Sequence, residues 1–321
     1  MGDGGATLIA SQVCRYPLPL GTDALEYRER LGEKGLVSRA AVGESQGSWH
    51  GQATVTFQRQ GDRTVPQVQT QAPLRVQRPF YPEGPGICES VLLHTAGGMV
   101  GGDRLTYGLH LAPNTHALVT TAAAAKIYRD HPTPAVVNGT MRVEAGACLE
   151  WLPQETIVFE GARYHQHWRV DLAPGAHWLG WDMLRLGRTA RGECFRQGEV
   201  RSHVEVWQGD RLLWVDPQRL VGSEALWQSP HGLNQCPVIA TLAWVGALPS
   251  PEVVNAARAA GTTILSPDQG QMGVTRLQQG LLCRYRGRST AAARQWFVAV
   301  WQLLRPHYAE ARATVPRVWQ R

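Results

Sequence analysis

The feature that most limits this chain's fold is an alternation of apolar and polar residues, repeated in many short runs. In SWHGQATVTF, Trp49, Ala53, Val55 and Phe57 fall on one face, and His50, Gln52, Thr54 and Thr56 on the other, as in a half-buried β-strand. The pattern returns in THALVTTA, TMRVEAGACLEW, YHQHWRVDL and RSHVEVW, and glycines and prolines interrupt the runs at short intervals. VEVWQGDRLLWV reads as a hairpin with Gly209 and Asp210 at its tip, and GVTRLQQGLLCRYRG as another that turns near Gly280. Two clear helical signals lie in the C-terminal half. SPEVVNAARAAG has Ser250 as N-cap, Pro251 at the first helical position and a stop at Gly261. STAAARQWFVAVWQLLRP begins near Ser289, puts Trp296, Val300 and Leu303 on one stripe, and stops before Pro306. The expected fold is mainly β, with stacked sheets or a β-solenoid-like body rather than a Rossmann fold. No fixed-length repeat supports the solenoid directly.

Residues 1–45 are different in kind. They are glycine-rich and lack a strand pattern, with one short helical signal: Asp23 as N-cap, Glu26 as capping-box partner, then LEYRERL. They read as an N-terminal extension, expected to be partly disordered, ahead of a single β-rich domain over 46–321.

A hydrophobic content of 43% with 18% charged residues indicates a chain with a real core. No apolar run approaches the roughly 18 residues of a membrane span, and the N-terminus lacks the layout of a signal peptide. The six cysteines lie tens of residues apart without a C-x-x-C, which argues against a zinc knuckle, a thioredoxin-type motif and a disulfide scaffold. The chain reads as cytoplasmic, with reduced thiols. The formal charge of +6 comes almost entirely from scattered arginines. That dispersion disfavours a nucleic-acid surface, and arginine suits planar pairing with the carboxylates of an acidic protein partner.

The densest motif is HTAGGMVGGDRL, His94 to Leu105. It is not a Walker A loop, because Gly102 is followed by Asp103 and Arg104, and it is not a dinucleotide fingerprint, because the next run, LTYGLHL, alternates like a strand. The paired glycines Gly97–Gly98 and Gly101–Gly102 mark either a tight strand connection or a close approach to a partner or ion. His165 and His167 sit two apart on an expected strand, so they share a face with Arg169 and Asp171 and are spaced to share a metal. Glu155 and Glu160 lie just upstream as candidate further ligands. No G-x-S-x-G or H-E-x-x-H motif is present, and Lys126, after a run of alanines, reads as the end of an apolar stretch. Trp168, Trp178, Trp181, Trp207, Trp214 and Trp227 fit either a β core or a binding surface.

Five blocks, HTAGGMVGGDRL, TTAAAAKIYR, LEWLPQETIVFEGA, GWDMLRLGRTARGE and GLLCRYRG, together resemble the urease accessory protein family UreD, also called UreH. The resemblance runs from about Trp49 to Trp319 with the blocks in family order. It implies a β-helix-like stack of mixed sheets with about two α-helices in the C-terminal half. It also implies a non-enzymatic chaperone that binds the urease apoprotein together with UreF and the GTPase UreG, and enables GTP-dependent nickel insertion. No permanent cofactor is implied, only transient nickel, and the resemblance allows a dimer of the accessory complex. The family is thought to offer nickel an internal path. On that basis His94, Asp103, Glu155, Glu160 and Asp182 are expected along a route, with His165 and His167 at its mouth. The glycine loop would shape it, and the C-terminal helix is a candidate dock for UreF. Two alternatives stand beside this reading: a metal-dependent hydrolase using His165 and His167 with a carboxylate, and a nucleic-acid-binding module.

Overall fold

A computed structural model of the chain describes residues 48–129, 132–266, 270–309 and 313–319. The helix expected behind Asp23, and the extension that holds it, lie outside the described residues. The alternating runs become strands. In chain order these are β1 (His50–Gln60), β2 (Arg63–Gln71), β3 (Leu74–Val76), β4 (Ile87–His94), β5 (Arg104–Leu111) and β6 (His116–Thr121). There follow β7 (Ala125–Ile127), β8 (Ala135–Val143), β9 (Cys148–Trp151), β10 (Thr156–Val158), β11 (Arg163–Leu172) and β12 (His177–Leu186). Next come the hairpin β13 (Glu199–Gln208) and β14 (Arg211–Val221), helix α1 (Glu224–Gln228) and β15 (Val238–Val245). Helix α2 (Pro251–Ile264), β16 (Gly270–Leu277), β17 (Gly280–Gly287) and helix α3 (Thr290–Leu304) complete the order.

The chain winds between two sheets as a β-solenoid of about four turns. The first sheet has the order β14-β13-β11-β8-β5-β1-β2, and its inner strands β1, β5, β8, β11 and β13 are parallel. The main path of the second is β16-β17-β15-β12-β9-β6-β4-β3, with β4, β6, β9 and β12 parallel. Both expected hairpins form: Gln208 pairs with Arg211 around the Gly209–Asp210 tip, and Leu277 pairs with Gly280.

Three crossings from the first sheet to the second, β5 to β6, β8 to β9 and β11 to β12, turn the same corner. Asn114, Gly146 and Gly175 have φ of 58°, 68° and 74°. One residue further on, Thr115, Ala147 and Ala176 each donate their N–H three residues back, to Ala112, Glu144 and Ala173. A left-handed residue is required there, and glycine or asparagine supplies it at low cost. The corners fall at unequal intervals along the chain, so the turns repeat in space although no fixed period runs through the sequence.

One core lies inside the solenoid between the sheets. A second lies on the other side of the second sheet, against α2 and α3. β12 and β15 are therefore covered on both faces, which explains their nearly unbroken buried runs, HWLGWDMLRL and VIATLAWV. The helices begin where expected: Ser250 and Ser289 accept the N–H groups of Val253 and Ala292. Two details differ from expectation. α2 runs through Gly261 to Ile264, and that glycine makes room for Trp296, whose Nε1 would lie 2.9 Å from a Cβ there and donates to the Ala257 carbonyl at 3.1 Å. On α3 the fully buried stripe is Trp296, Phe297, Val300, Trp301 and Leu304, whereas Leu303 is only half-buried. That stripe is core, so it is not a free dock for UreF. No helix among the described residues is long and apolar enough to cross a membrane.

Candidate functional site

A cavity of about 360 Å³ lies inside the solenoid, between the two sheets. Its lining includes His94 at the end of β4 and Thr241 on β15. These strands are separated in the second sheet by β6, β9 and β12. At about 4.8 Å per strand the cavity therefore extends roughly 19 Å along the stack.

Its middle is aromatic. Tyr107, Gly139 and Trp168 are cross-strand partners on β5, β8 and β11. A Cβ at Gly139 would fall 2.0 Å from the Trp168 ring, so the missing side chain is what lets the indole lie across β8. There it stacks on Tyr107 (5.7 Å) and meets Trp151 (4.9 Å). Trp178, Trp181 and Trp214 also line the cavity. Four of the six clustered tryptophans thus serve its wall, and this was not legible from their density alone.

Beyond the aromatic section two polar ladders face each other. Gln166, Ser202 and Gln218 are register partners on β11, β13 and β14, and Asp182, Thr241 and Arg284 on β12, β15 and β17. Gln166 Nε2 donates to Ser202 Oγ (2.9 Å) and to Asp182, while its Oε1 accepts from Tyr164 and Trp168. Gln218 bridges Asp216 and Thr241, and Arg284 pairs with Asp216 (2.5 Å) and reaches Thr241 (3.1 Å). Burial pushes the Asp182 carboxyl up to about 6 from an ordinary 3.8; the Gln166 amide pulls it back in part, and the charge of Asp216 adds to the rise. Asp182 was an expected route residue. Gln166, Ser202, Asp216, Gln218 and Thr241 were not foreseen, because their juxtaposition depends on cross-strand register.

At the other end, Gly97, Gly98 and Met99 line the cavity beside His94 and Lys126. Met99 exchanges backbone hydrogen bonds with Lys126 and Tyr128, and the Tyr128 hydroxyl donates to the Gly97 carbonyl (2.9 Å). Gly98, at φ +155°, would place a Cβ 2.4 Å from the Tyr128 ring and 2.7 Å from the Lys126 carbonyl. The motif is therefore a strand connection pressed against β7, and one side of it faces the cavity. Gly101 and Gly102 do not line it. Burial holds His94 below the usual imidazole range, with Asp103 opposing, and its Nε2 is buried without a hydrogen-bond partner. A neutral imidazole with an unused nitrogen is a ready ligand atom.

The other expected route residues do not line the cavity. Asp103 is buried and accepts the N–H groups of Val100 (2.8 Å) and Trp49 (3.3 Å), so it shapes the glycine loop. Glu155 pairs with Arg294 and ties the loop before β10 to α3. Glu160 accepts the N–H groups of Cys194 and Arg196 and organises the loop before β13. His165 and His167 do share the outer face of the first sheet, but they do not share a ligand set. His165 Nε2 lies 4.0 Å from Glu199, whereas His167 faces Glu205 (3.5 Å) and His203, its register partner on β13. Burial lowers both imidazoles, with Arg201 adding to this at His165. Neither lines the cavity.

A buried charge network fixes the C-terminal segment to the solenoid. Glu150 on β9 accepts from Trp301 Nε1 and the Tyr308 hydroxyl (both 2.7 Å), while Arg305 bridges Glu150 (3.4 Å) and Glu83 (2.8 Å).

Comparison with known proteins gives a consistent result. A sequence model described as "UreD urease accessory protein" matches residues 50–320. Three proteins named "Urease accessory protein UreD" are similar over 273 residues, or 85% of this chain. That of Nostoc sp. (strain PCC 7120) is 53% identical with 96% of its length covered. That of Nostoc punctiforme is 54% identical with 96% covered, and that of Trichormus variabilis 53% identical with 96% covered.

Proposed function

The chain belongs to the UreD urease accessory protein family, and from that premise we propose that it is a non-enzymatic scaffold of urease maturation in the cytoplasm. It binds the urease apoprotein together with UreF and UreG, an assembly open to dimerisation, and enables GTP-dependent insertion of nickel, its transient cargo. The observation that carries the reading is the elongated interior cavity, with the His94 imidazole, whose Nε2 has no hydrogen-bond partner, in one section and the Asp182 carboxyl in another. Dehydrating a divalent ion without replacing its water is costly, so a path needs polar stations. It also needs stations weak enough to release the ion. Among the described residues, the one group of three His, Cys, Asp or Glu side chains close enough to hold a metal together lies outside this cavity. Single ligands set apart in series suit transit better than storage. In this reading His94 offers a nitrogen, the polar ladders offer carboxylate, amide and hydroxyl oxygens, and the tryptophan walls keep the path narrow.

Urease produced with its accessory proteins, with and without this chain, tests the proposal through nickel content, activity and co-purification. Nickel-poor, inactive urease in its absence and a recovered complex in its presence are expected. Equal activation without it would overturn the reading.

A further inference from the structure

We propose that His167, His203 and Glu205 form a binding site for a first-row divalent transition cation on the outer face of the first sheet, separate from the interior cavity. The three residues lie on adjacent parallel strands. His167 and His203 are register partners, with ring centroids 5.1 Å apart, and Glu205 follows His203 by two positions on the same face of β13. The Glu205 carboxylate lies 3.5 Å from His167 Nε2 and 3.7 Å from His203 Nε2, and one ligand atom from each residue lies within 4.8 Å of the other two. Those separations exceed the roughly 2.7–3.2 Å of an ordinary N–H···O hydrogen bond. They are close to what a shared ion requires: ligand atoms about 2.1 Å from a metal stand roughly 3.0–3.4 Å apart at octahedral to tetrahedral angles. Small side-chain rotations on rigid, paired strands would close the set. His167 is exposed and His203 and Glu205 are half-buried, so an ion reaches the site from solvent and water completes the coordination.

The neighbouring cations have their shorter contacts elsewhere, although Arg169 also pairs with Glu205. Arg169 is bonded to Asp171 through Nε (3.0 Å) and Nη2 (2.9 Å) and lies over the Trp207 ring, leaving its Nη1 3.7 Å from Glu205. Arg201 and Arg219 pair with Glu199. Two imidazoles and one carboxylate favour nickel, zinc, cobalt or copper over magnesium or calcium.

The test uses the full chain titrated with cobalt(II), read by its visible absorption, and with nickel by calorimetry. One equivalent is expected to bind. Removing a ligand should weaken binding at least as much as the about tenfold typical of losing an outer-shell partner, so His203→Ala and His167→Ala should each lose tenfold or more. His165→Ala and Asp182→Asn should retain the site. Unchanged binding in His203→Ala, loss in Asp182→Asn alone, or no binding by the wild type would overturn the proposal. If the histidine variants fail to fold, anomalous scattering from nickel-soaked crystals of the wild type decides. A peak between the three side chains supports the site, and its absence refutes it.

Discussion

Replacing Asp182 with asparagine should make the protein more stable while removing a carboxylate from the proposed path. In the unfolded chain this carboxyl has its ordinary value of 3.8; in the folded protein burial among the ladders pushes it up to about 6, with Gln166 opposing and Asp216 adding. Between those values the unfolded chain has released the proton and the folded protein still holds it. Stability from this group therefore falls as pH rises through that window, and the loss is complete above about 6. At about 1.4 kcal/mol per pH unit the full penalty is about 3 kcal/mol. Water within the cavity reduces it, so a gain of about 1–3 kcal/mol at pH 7.5 is expected for Asp182→Asn, whose amide can still bond Gln166. The gain should shrink to near zero by pH 4, where the acid is mostly protonated in the folded state and close to half protonated in the unfolded one. Urea denaturation followed by tryptophan fluorescence, at several pH values and with the m-value checked for constancy, measures this directly. A variant no more stable than wild type at pH 7.5, or a gain independent of pH, would refute the reasoning. A carboxylate that costs stability in its own fold is the kind of residue expected where function sets the choice.

Other positions separate structural from route roles. Glu150→Ala leaves Trp301 Nε1 and the Tyr308 hydroxyl without their acceptor and removes one carboxylate from Arg305; a loss of about 3–5 kcal/mol is expected in denaturant unfolding. Burial opposes ionisation of Glu150, yet His116, Arg305 and Trp301 together hold its carboxyl below the usual range. Its stabilising contribution is therefore present above the ordinary carboxylate value of 4.5 and lost as pH falls through the depressed one, and Glu150→Gln should flatten that part of the stability–pH curve. Gly98→Ala should cost about 1–3 kcal/mol because its Cβ meets Tyr128 and the Lys126 carbonyl, whereas Gly97→Ala, with nothing within 4 Å, should stay within about 0.5 kcal/mol by the same measurement. Gly139→Ala should displace the Trp168 indole and cost about 1–3 kcal/mol, with a shift in tryptophan emission.

The alternation of SWHGQATVTF and its successors was enough to read a mainly β body, because a period of two has one structural meaning when one face is buried. The solenoid's turns were hidden by spacing. Asn114, Gly146 and Gly175 do one job at unequal intervals, and the corner fixes a backbone angle rather than a residue type. Gly261 looked like a helix stop because glycine often is one; the presence of Trp296 on another element decided otherwise. The site was legible in the same uneven way. His94, Asp182 and the Gly97–Gly98 pair carry chemistry or a backbone demand locally, and they line the cavity. Asp103, Glu155 and Glu160 have the right chemistry, but they are occupied by backbone N–H groups or by Arg294. His203 and Glu205 escaped notice because the pairing of β11 with β13 places them beside His167.

The most direct test of the proposed route is the nickel content of urease matured by the complete accessory set containing either the wild-type chain or Asp182→Asn, with assembly of each complex verified by size-exclusion chromatography. The route predicts an intact complex and urease markedly depleted in nickel with the variant. Full nickel loading with Asp182→Asn in an assembled complex would contradict passage along the polar ladders.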